Sequence, residues 1–232
     1  MGNILHQASG RGPSVLSVCA LHLSSCALPR AGRLYGRSVA AGFALVKTLD
    51  ERGLTDNTVV FFAGDNGGTA SARNAPLSGI KGTTLEGGIR VPAMVRWPGV
   101  LPAGVESHQP CITFDFTASM ARIAGVTASA EKPFEGIDIV RHVADGCPDF
   151  DRTLYWRKPR GETLWKGVRR GTLKYVAQKR EDSYQEMLFD LATDVAEQVD
   201  LKDRRPEDFA RLKHLYDVWE ETTRRNCRGR ER

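Results

Sequence analysis

The stretch FFAGDNGG, residues 61–68, decides how the rest of this sequence is interpreted. A continuous apolar run from Val59 to Ala63 leads into Asp65 and Asn66, which stand before two glycines. Such a run after a helical segment predicts a strand buried on both faces of a mainly parallel sheet. Asn-Gly is also a strong signal for a hairpin turn. The Asp-Asn pair is therefore either part of a turn or a pair of oxygen ligands at a strand end.

A second stretch, GIKGTTLEGGIRVPAMVRWPG at residues 79–99, is dense in glycine. Glycine permits tight turns and close backbone approach, so the first half of the stretch predicts a compact loop. Lys81 lies between two glycines on this loop, where its ammonium group is well placed to meet an anion. The alternative is a solvated lysine on a surface loop.

The surrounding sequence predicts further elements. Residues 39–54 form an amphipathic helical pattern that Gly53 ends, residues 91–99 form a strand closed by a Pro-Gly turn, and residues 113–126 form another helix. After residue 149, short aromatic and β-branched runs predict an antiparallel sheet. A closing helix begins near Pro206. The expected apolar stripe of the first helix is Val39, Phe43, Val46 and Leu49, and that of the last is Phe209, Leu212, Leu215, Val218 and Trp219.

These patterns divide the chain into three parts. Residues 1–38 are an atypical, Arg/Ser-rich segment without acidic residues, interpreted as a secretion-like signal, an organellar transit peptide or a misassigned start. Residues 39–149 form the main α/β core. Residues 150–232 form the antiparallel sheet, the closing helix and a basic tail.

The net charge of +5 comes from the two ends of the chain. Residues 1–38 contain four arginines, and residues 224–232 contain five arginines and one glutamate, so residues 39–223 are mildly acidic. A nucleic-acid-binding domain needs its basic residues on the folded body, so we expect no nucleic-acid partner. The five cysteines are widely spaced and form neither a disulfide framework nor a zinc motif.

Together the two glycine-rich stretches resemble the sulfatase family. The strand end FFAGDNGG and the pattern G-x-K-G-T-T-x-E-G-G-x-R-x-P occur in the family's order and spacing, and the resemblance covers residues 39–223. Within the family, the sequence resembles bacterial arylsulfatase-like members. The resemblance implies an α/β fold, with part of an alkaline-phosphatase-like mixed sheet flanked by helices, then a small C-terminal antiparallel sheet and a closing helix. It covers the C-terminal part of such an enzyme only.

The resemblance also implies site residues. The family's Asp-Asn pair binds calcium and maps onto Asp65 and Asn66, which agrees with the preference of hard cations for carboxylate and carbonyl oxygens. The lysine of the glycine-rich loop maps onto Lys81, which would contact sulfate oxygens and stabilise their negative charge as the S–O bond breaks. Glu86 and Arg90 match motif positions and are interpreted as framework residues, a candidate ion pair that holds the loop.

Other parts of the family's machinery have no counterpart in this sequence. They are the formylglycine precursor motif Cys-x-Pro-Ser-Arg, an early aspartate pair and the catalytic histidines. CALPR, starting at Cys26, has leucine where the motif has proline and is interpreted as a chance match. His108 and His142 are not substitutes for the catalytic histidines. We therefore expect an incomplete calcium site.

The expected function is that of a sulfuric ester hydrolase, incomplete in this chain. The alternatives are a catalytically inactive fragment, a non-catalytic module that recognises sulfated glycans through Lys81 and Arg73, and a phosphoesterase of the same superfamily. The expected partners are sulfate esters, including sulfated glycans, and no segment is apolar enough to span a membrane. The family implies a periplasmic or extracellular location, and LSSC at residues 23–26 adds a weak lipoprotein-like signal.

Overall fold

A computed structural model describes residues 19–21 and 33–228, so Cys26 and the LSSC stretch lie outside the described residues. The strands are β1 (Cys19–Leu21), β2 (Val60–Ala63), β3 (Ala93–Arg96), β4 (Glu106–Ser107), β5 (Thr153–Arg160), β6 (Thr163–Arg170), β7 (Leu173–Arg180) and β8 (Ser183–Asp190). The helices are α1 (Arg33–Glu51), α2 (Glu86–Ile89), α3 (Thr113–Ile123), α4 (Ile139–Ala144) and α5 (Pro206–Arg228). Within this described part, no helix is long and apolar enough to cross a membrane.

The chain forms two compact units. The first contains the residues up to Ala63 and residues 92–149, and the second contains residues 64–91 and the residues from Phe150 onward. The sequence-based division had placed residues 64–91 with residues 39–149. The structure groups them with the C-terminal sheet, because side chains of this segment pack and hydrogen-bond on β6 and β7.

The first unit contains a mixed sheet with strand order β2-β3-β1-β4. β3 is antiparallel to both of its neighbours, and β1 is parallel to β4. The expected mixed sheet is confirmed, but the expectation that β2 is buried in a mainly parallel sheet is wrong. β2 is antiparallel to β3 and only half-buried, because it has one strand neighbour among the described residues.

The core of the first unit lies between this sheet and the helices α3 and α4. Its buried members are Ala93, Val95, Leu101, Cys111, Phe116, Ile139, Val140 and Val143. Phe61 of β2 meets Phe116 of α3 with ring centroids 5.3 Å apart. α3 spans the predicted helix, and α1 ends just before Gly53, whose positive φ of 67° suits glycine. Phe43, expected on the buried stripe of α1, is exposed.

The second unit contains an antiparallel meander with strand order β5-β6-β7-β8, which confirms the predicted C-terminal sheet and its closing helix. α5 packs on one face of the sheet, where Tyr155 stacks on Trp219 at a centroid distance of 4.9 Å. Leu212 and Tyr216 of α5 are fully buried there. Val218, expected in the buried stripe, is exposed, and Tyr216 is buried on that stripe instead.

The opposite face of the same sheet carries Lys174 and Val176, because side chains alternate along β7. Leu85 of the segment 64–91 packs on this face against Trp165, Val176 and Phe189. The C-terminal sheet is thus covered by α5 on one side and by the glycine-rich segment on the other.

Candidate functional site

The Asp-Asn pair is not in a hairpin turn. β2 and β3 are neighbours, but residues 64–92 connect them, so the Asn-Gly turn interpretation is wrong for residues 66–67. Asp65 is exposed and Asn66 is half-buried. One carboxylate oxygen of Asp65 accepts a hydrogen bond from the Asn66 N–H at 3.0 Å, which leaves the other oxygen directed at no donor in the described part of the chain.

Backbone hydrogen bonds join this strand end to the glycine-rich loop, defined here as Ser78–Gly88. The Gly67 N–H donates to the Gly88 carbonyl at 2.9 Å, and the Lys81 N–H donates to the Gly68 carbonyl at 2.8 Å. The structure therefore brings the backbone of Lys81 next to the segment that follows Asp65 and Asn66.

The Asn74 side chain also hydrogen-bonds to the backbone of both segments. Its carboxamide oxygen accepts from the Gly68 N–H at 3.1 Å, and its NH₂ group donates to the carbonyls of Gly68 and Gly79, each at 3.1 Å. One side chain thus satisfies three backbone groups that no regular strand or helix would pair. Sequence analysis did not single out Asn74.

The glycines are required where the two segments touch. A Cβ atom on Gly67 would overlap the Gly87 carbonyl, and a Cβ on Gly87 would lie 2.6 Å from the Ser78 carbonyl oxygen. Both obstacles are backbone atoms, which cannot rotate away. The Gly87 N–H also donates to that Ser78 carbonyl at 2.6 Å, closing the ends of the loop on each other.

Two polar side chains near the contact between the strand end and the loop form no bonds to other side chains of the described residues. Within the part of the chain that the structure describes, the Lys81 ammonium and the Asn66 carboxamide have no side-chain hydrogen bond or ion pair. Lys81 is exposed. A cation on a tightly bonded loop beside a carboxylate and a carboxamide can bind an anion and donate oxygen atoms to a metal ion.

The interior end of the loop is held by charges. Arg90 pairs with Glu86 at 3.2 Å, which confirms the predicted pair. The other Glu86 oxygen accepts from the Lys174 Nζ at 2.7 Å, and Lys174 also donates to Glu197 at 2.8 Å. A second Glu197 oxygen accepts from the backbone N–H of Glu86 at 2.6 Å. The Lys174 side chain is fully buried.

The two carboxylates of this cluster differ in protonation behaviour. Burial by itself would raise the pKa of Glu86, but Lys174 with Arg169 and Arg90 outweighs burial and lowers that pKa. Burial raises the pKa of Glu197, and the nearby Glu86 carboxylate acts in the same direction, so that together they outweigh the lowering effect of Lys174. Glu86 is therefore the carboxylate that stays ionised most readily.

Sequence analysis did not identify Lys174 and Glu197. One signal was available for Lys174, since it is the one charged residue in the otherwise apolar and aromatic run from Leu173 to Ala177. A charge on such a face requires a buried partner. Glu197 carried no local signal, because its partners are 23 and 111 residues away along the chain.

The described residues offer only part of a calcium site. They contain no group of three or more His, Cys, Asp or Glu side chains arranged to hold a metal ion. Asp65 and Asn66 are oxygen donors of the kind that calcium takes, but calcium binds roughly six to eight oxygens. The donor chemistry fits, and the number of donors from these two residues does not complete a coordination sphere.

Comparison with known proteins identifies the family that part of this chain resembles. A model of the sulfatase family matches residues 44–126, which include the strand end and the whole glycine-rich loop. The chain is similar to the sulfatase family over this part of its length. It is 32% identical to steryl-sulfatase of Rattus norvegicus over 144 residues, which are 53% of this chain and 25% of that protein. It is 35% identical to N-acetylgalactosamine-6-sulfatase of Homo sapiens over 127 residues, which are 52% of this chain and 24% of that protein.

Solved sulfatase-like structures share the fold. The crystal structure of Ps i-CgsB in complex with k-i-k-neocarrahexaose superposes with a TM-score of 0.68 and 26% identity, covering 75% of this chain and 39% of that one. PsFucS1 sulfatase from Pseudoalteromonas sp. has a TM-score of 0.63 at 22% identity, covering 78% and 40%, and this similarity concerns the fold alone. The chain spans about a quarter of the length of the relatives it matches.

Proposed function

We propose that this chain is part of a sulfuric ester hydrolase and supplies the sulfate-facing Lys81 and two metal ligands, Asp65 and Asn66. One observation carries the proposal. The hydrogen bonds from Lys81 N–H to Gly68 and from Gly67 N–H to Gly88 hold the exposed lysine beside the strand end that bears the carboxylate and carboxamide.

Each residue has a chemical role in this proposal. The Lys81 ammonium binds the sulfate group and stabilises the negative charge that grows on its oxygens as the ester bond breaks. Asp65 and Asn66 would hold a calcium ion, which supplies positive charge that orients the sulfate. The charge is preorganised, because the loop that carries Lys81 is fixed by its own backbone bonds.

Binding of a sulfate ester by this chain tests the role of Lys81. We expect 4-nitrocatechol sulfate, titrated calorimetrically in the presence of calcium, to bind the parent chain. Lys81→Ala should weaken the affinity about tenfold or more, since a hydrogen bond to a charged group contributes about 1.5–3 kcal/mol. Lys179→Ala is the matched control, because Lys179 is also exposed but lies on β7, away from the loop. Equal affinities for the parent and Lys81→Ala would contradict the proposal.

The metal ligands call for a separate titration. We expect Asp65→Ala to abolish any increase in sulfate affinity that calcium produces, while Asp56→Ala, which removes another exposed aspartate, leaves that increase unchanged. An Asp65→Ala chain that responds to calcium as the parent does would remove Asp65 from the ligand set.

A second candidate function is binding of sulfated glycans without turnover. Lys81 and Arg73 are both exposed and, among the described residues, neither has a carboxylate partner. The Ps i-CgsB crystal structure is of a complex with k-i-k-neocarrahexaose. This candidate predicts that Arg73→Ala weakens binding of a sulfated oligosaccharide more than it weakens binding of 4-nitrocatechol sulfate. Equal losses for the two ligands would favour the hydrolase site alone.

A further inference from the structure

The glycine-rich loop is fastened at both of its ends by one turn of the C-terminal region. This turn, Asp194–Val199, is defined here as the clamp turn. At the start of the loop, Gln198 Nε2 donates to the Ser78 hydroxyl oxygen at 2.8 Å. At the end of the loop, Glu197 accepts from the Glu86 N–H at 2.6 Å. Lys81 lies between these two attachment points.

The clamp turn is itself rigidly built. One Asp194 carboxylate oxygen accepts from the N–H groups of Gln198 and Val199, both at 2.8 Å. Glu197 has a positive φ of 54°, a conformation that residues other than glycine seldom adopt. Such a backbone persists only where the surroundings over-determine it, and here both oxygens of the Glu197 side chain are engaged.

Lys174 of β7 connects the clamp turn to the loop, because its ammonium group contacts a carboxylate of each. Its Nζ is 2.7 Å from Glu86 and 2.8 Å from Glu197, and its side chain has no exposed area. A buried charge cluster of this kind is weak support for stability, since apolar residues of similar volume often serve as well. The cluster instead fixes the position of the loop, because the hydrogen bonds among Glu86, Lys174 and Glu197 form only when the loop lies in this place.

We propose that Lys174 and Glu197 are positioning residues for Lys81, acting through the clamp turn to set where the loop presents its ammonium group. This inference rests on the proposed function of Lys81. Neither residue touches the sulfate, so their effect on an anion passes through the loop alone. Breaking the cluster should loosen Ser78–Gly88 while the strands beneath it stay ordered.

Amide hydrogen exchange of the full chain, followed by mass spectrometry, tests the positioning. Glu197→Ala removes both acceptors, so peptides covering Ser78–Gly88 should exchange about tenfold faster or more, while β6 and β7 peptides keep their protection. Glu197→Gln can satisfy only one of the two donors and should give an intermediate rate. Glu220→Gln is the matched control, because both carboxylate oxygens of Glu220 also accept hydrogen bonds, but on the α5 face of the sheet.

Affinity for 4-nitrocatechol sulfate supplies the second measurement. Glu197→Ala should both weaken binding of the sulfate ester and speed amide exchange in the loop. Lys81→Ala should weaken binding but leave the exchange rate of the loop unchanged. Unchanged loop exchange in Glu197→Ala, or an increase spread evenly over β5 to β8, would overturn the positioning role. A parent chain that does not bind the sulfate ester would overturn the proposed function, while the exchange data would still decide whether the clamp turn holds the loop.

Should Glu197→Ala fail to fold, Gln198→Ala takes its place. This substitution leaves the Glu197 carboxylate in place and removes the side-chain bonds of Gln198 to the Ser78 hydroxyl and to the Ala196 carbonyl, and the Gln198 side chain is exposed. We expect faster exchange confined to the first half of the loop. An exchange pattern identical to that of the parent would then count against the clamp.

Discussion

At the scale of single residues, Lys81 is expected to matter for ligand binding and hardly at all for the free energy of unfolding. It is exposed and forms no ion pair within the described residues, so its removal takes away little packing and no charge partner. Asp65 is also exposed and Asn66 is half-buried, and neither forms an ion pair within the described residues. The free energy of unfolding should therefore be insensitive to all three, and any effect of changing them belongs to ligand binding.

Lys81→Ala should lose catalysis without losing stability. In a chain extended to the full length of its relatives, we expect a fall in kcat of about 100-fold or more, comparable to losing one oxyanion donor. The free energy of unfolding should change by less than about 0.5 kcal/mol. Steady-state kinetics with an aryl sulfate and a denaturant titration measure the two quantities. A rise in KM at constant kcat would instead indicate that Lys81 only attracts the anion.

At the scale of elements, the glycine-rich loop and the closing helix are attached to opposite faces of one sheet by different means. The loop relies on close backbone approach and on the Glu86–Lys174–Glu197 cluster. α5 relies on a large apolar face and on the ion pairs of Glu220. A substitution at Gly67 should therefore weaken the attachment of the loop, and a substitution at Glu220 should weaken that of α5.

Gly67→Ala should be strongly destabilising for the attachment of the loop. The new Cβ would overlap the Gly87 carbonyl, so the Gly67–Gly88 hydrogen bond has to break or the backbone has to shift. We expect a loss of about 1–3 kcal/mol in thermal or denaturant unfolding. Gly42→Ala is the control, because Gly42 lies inside α1 with no atom within 4 Å of the added Cβ. It should stabilise α1 by about 0.5–1 kcal/mol. Equal effects of the two changes would contradict the close approach.

Glu220 should make the stability of the α5 attachment dependent on pH. Its carboxylate is 2.8 Å from Arg157 and 3.0 Å from Lys166. Burial by itself would raise the pKa of Glu220, but the hydrogen bonds from Arg157 and Lys166 outweigh it and the net pKa is lowered from 4.5. A lowered folded-state pKa contributes stability above the unfolded value, and this contribution is lost as the pH falls through the folded-state value.

The measurement is the free energy of unfolding of the parent and of Glu220→Gln between pH 7 and pH 3. We expect the variant to be less stable by about 1–3 kcal/mol at pH 7 and the difference to shrink below pH 4.5. Glu221→Gln serves as control, since Glu221 is exposed and pairs only with Arg225. A difference that is constant over the whole range would show that Glu220 acts through packing and not through its charge.

At the scale of the whole molecule, the described residues hold the exposed Lys81 beside the strand end that bears Asp65 and Asn66, but they contain no group of three or more His, Cys, Asp or Glu side chains arranged to hold a metal ion. The sequence also lacks a full formylglycine precursor motif, since CALPR at Cys26 has leucine where proline is required. We therefore expect this 232-residue chain to hydrolyse 4-nitrocatechol sulfate no faster than buffer, with calcium and a maturation enzyme supplied.

Release of 4-nitrocatechol, followed by absorbance, measures this expectation. Turnover above the buffer rate that disappears in Cys26→Ala would contradict it and would make CALPR a divergent modification motif. Turnover that survives Cys26→Ala would indicate a nucleophile elsewhere in the chain.

The sequence by itself determined the local features of this protein. Glycine spacing predicted the loop, Gly53 and Pro206 indicated the end of one helix and the start of another, and short aromatic and β-branched runs after residue 149 indicated the antiparallel sheet. Glu86 and Arg90, which match positions of the glycine-rich motif, form the ion pair that was expected of them. Each of these features depends on residues close together in the chain, where backbone preference and side-chain periodicity act directly.

Only the tertiary structure decided which distant groups meet. The antiparallel pairing of β2 with β3 across a 29-residue connection could not be inferred from an apolar run, because a buried run looks the same in either direction. Lys174 and Glu197 were likewise hidden, since a buried charge is stabilised by partners that the fold supplies. Turns, helix ends and short loops depend on neighbouring residues and can be predicted from the sequence, whereas contacts between remote segments depend on how the whole unit packs.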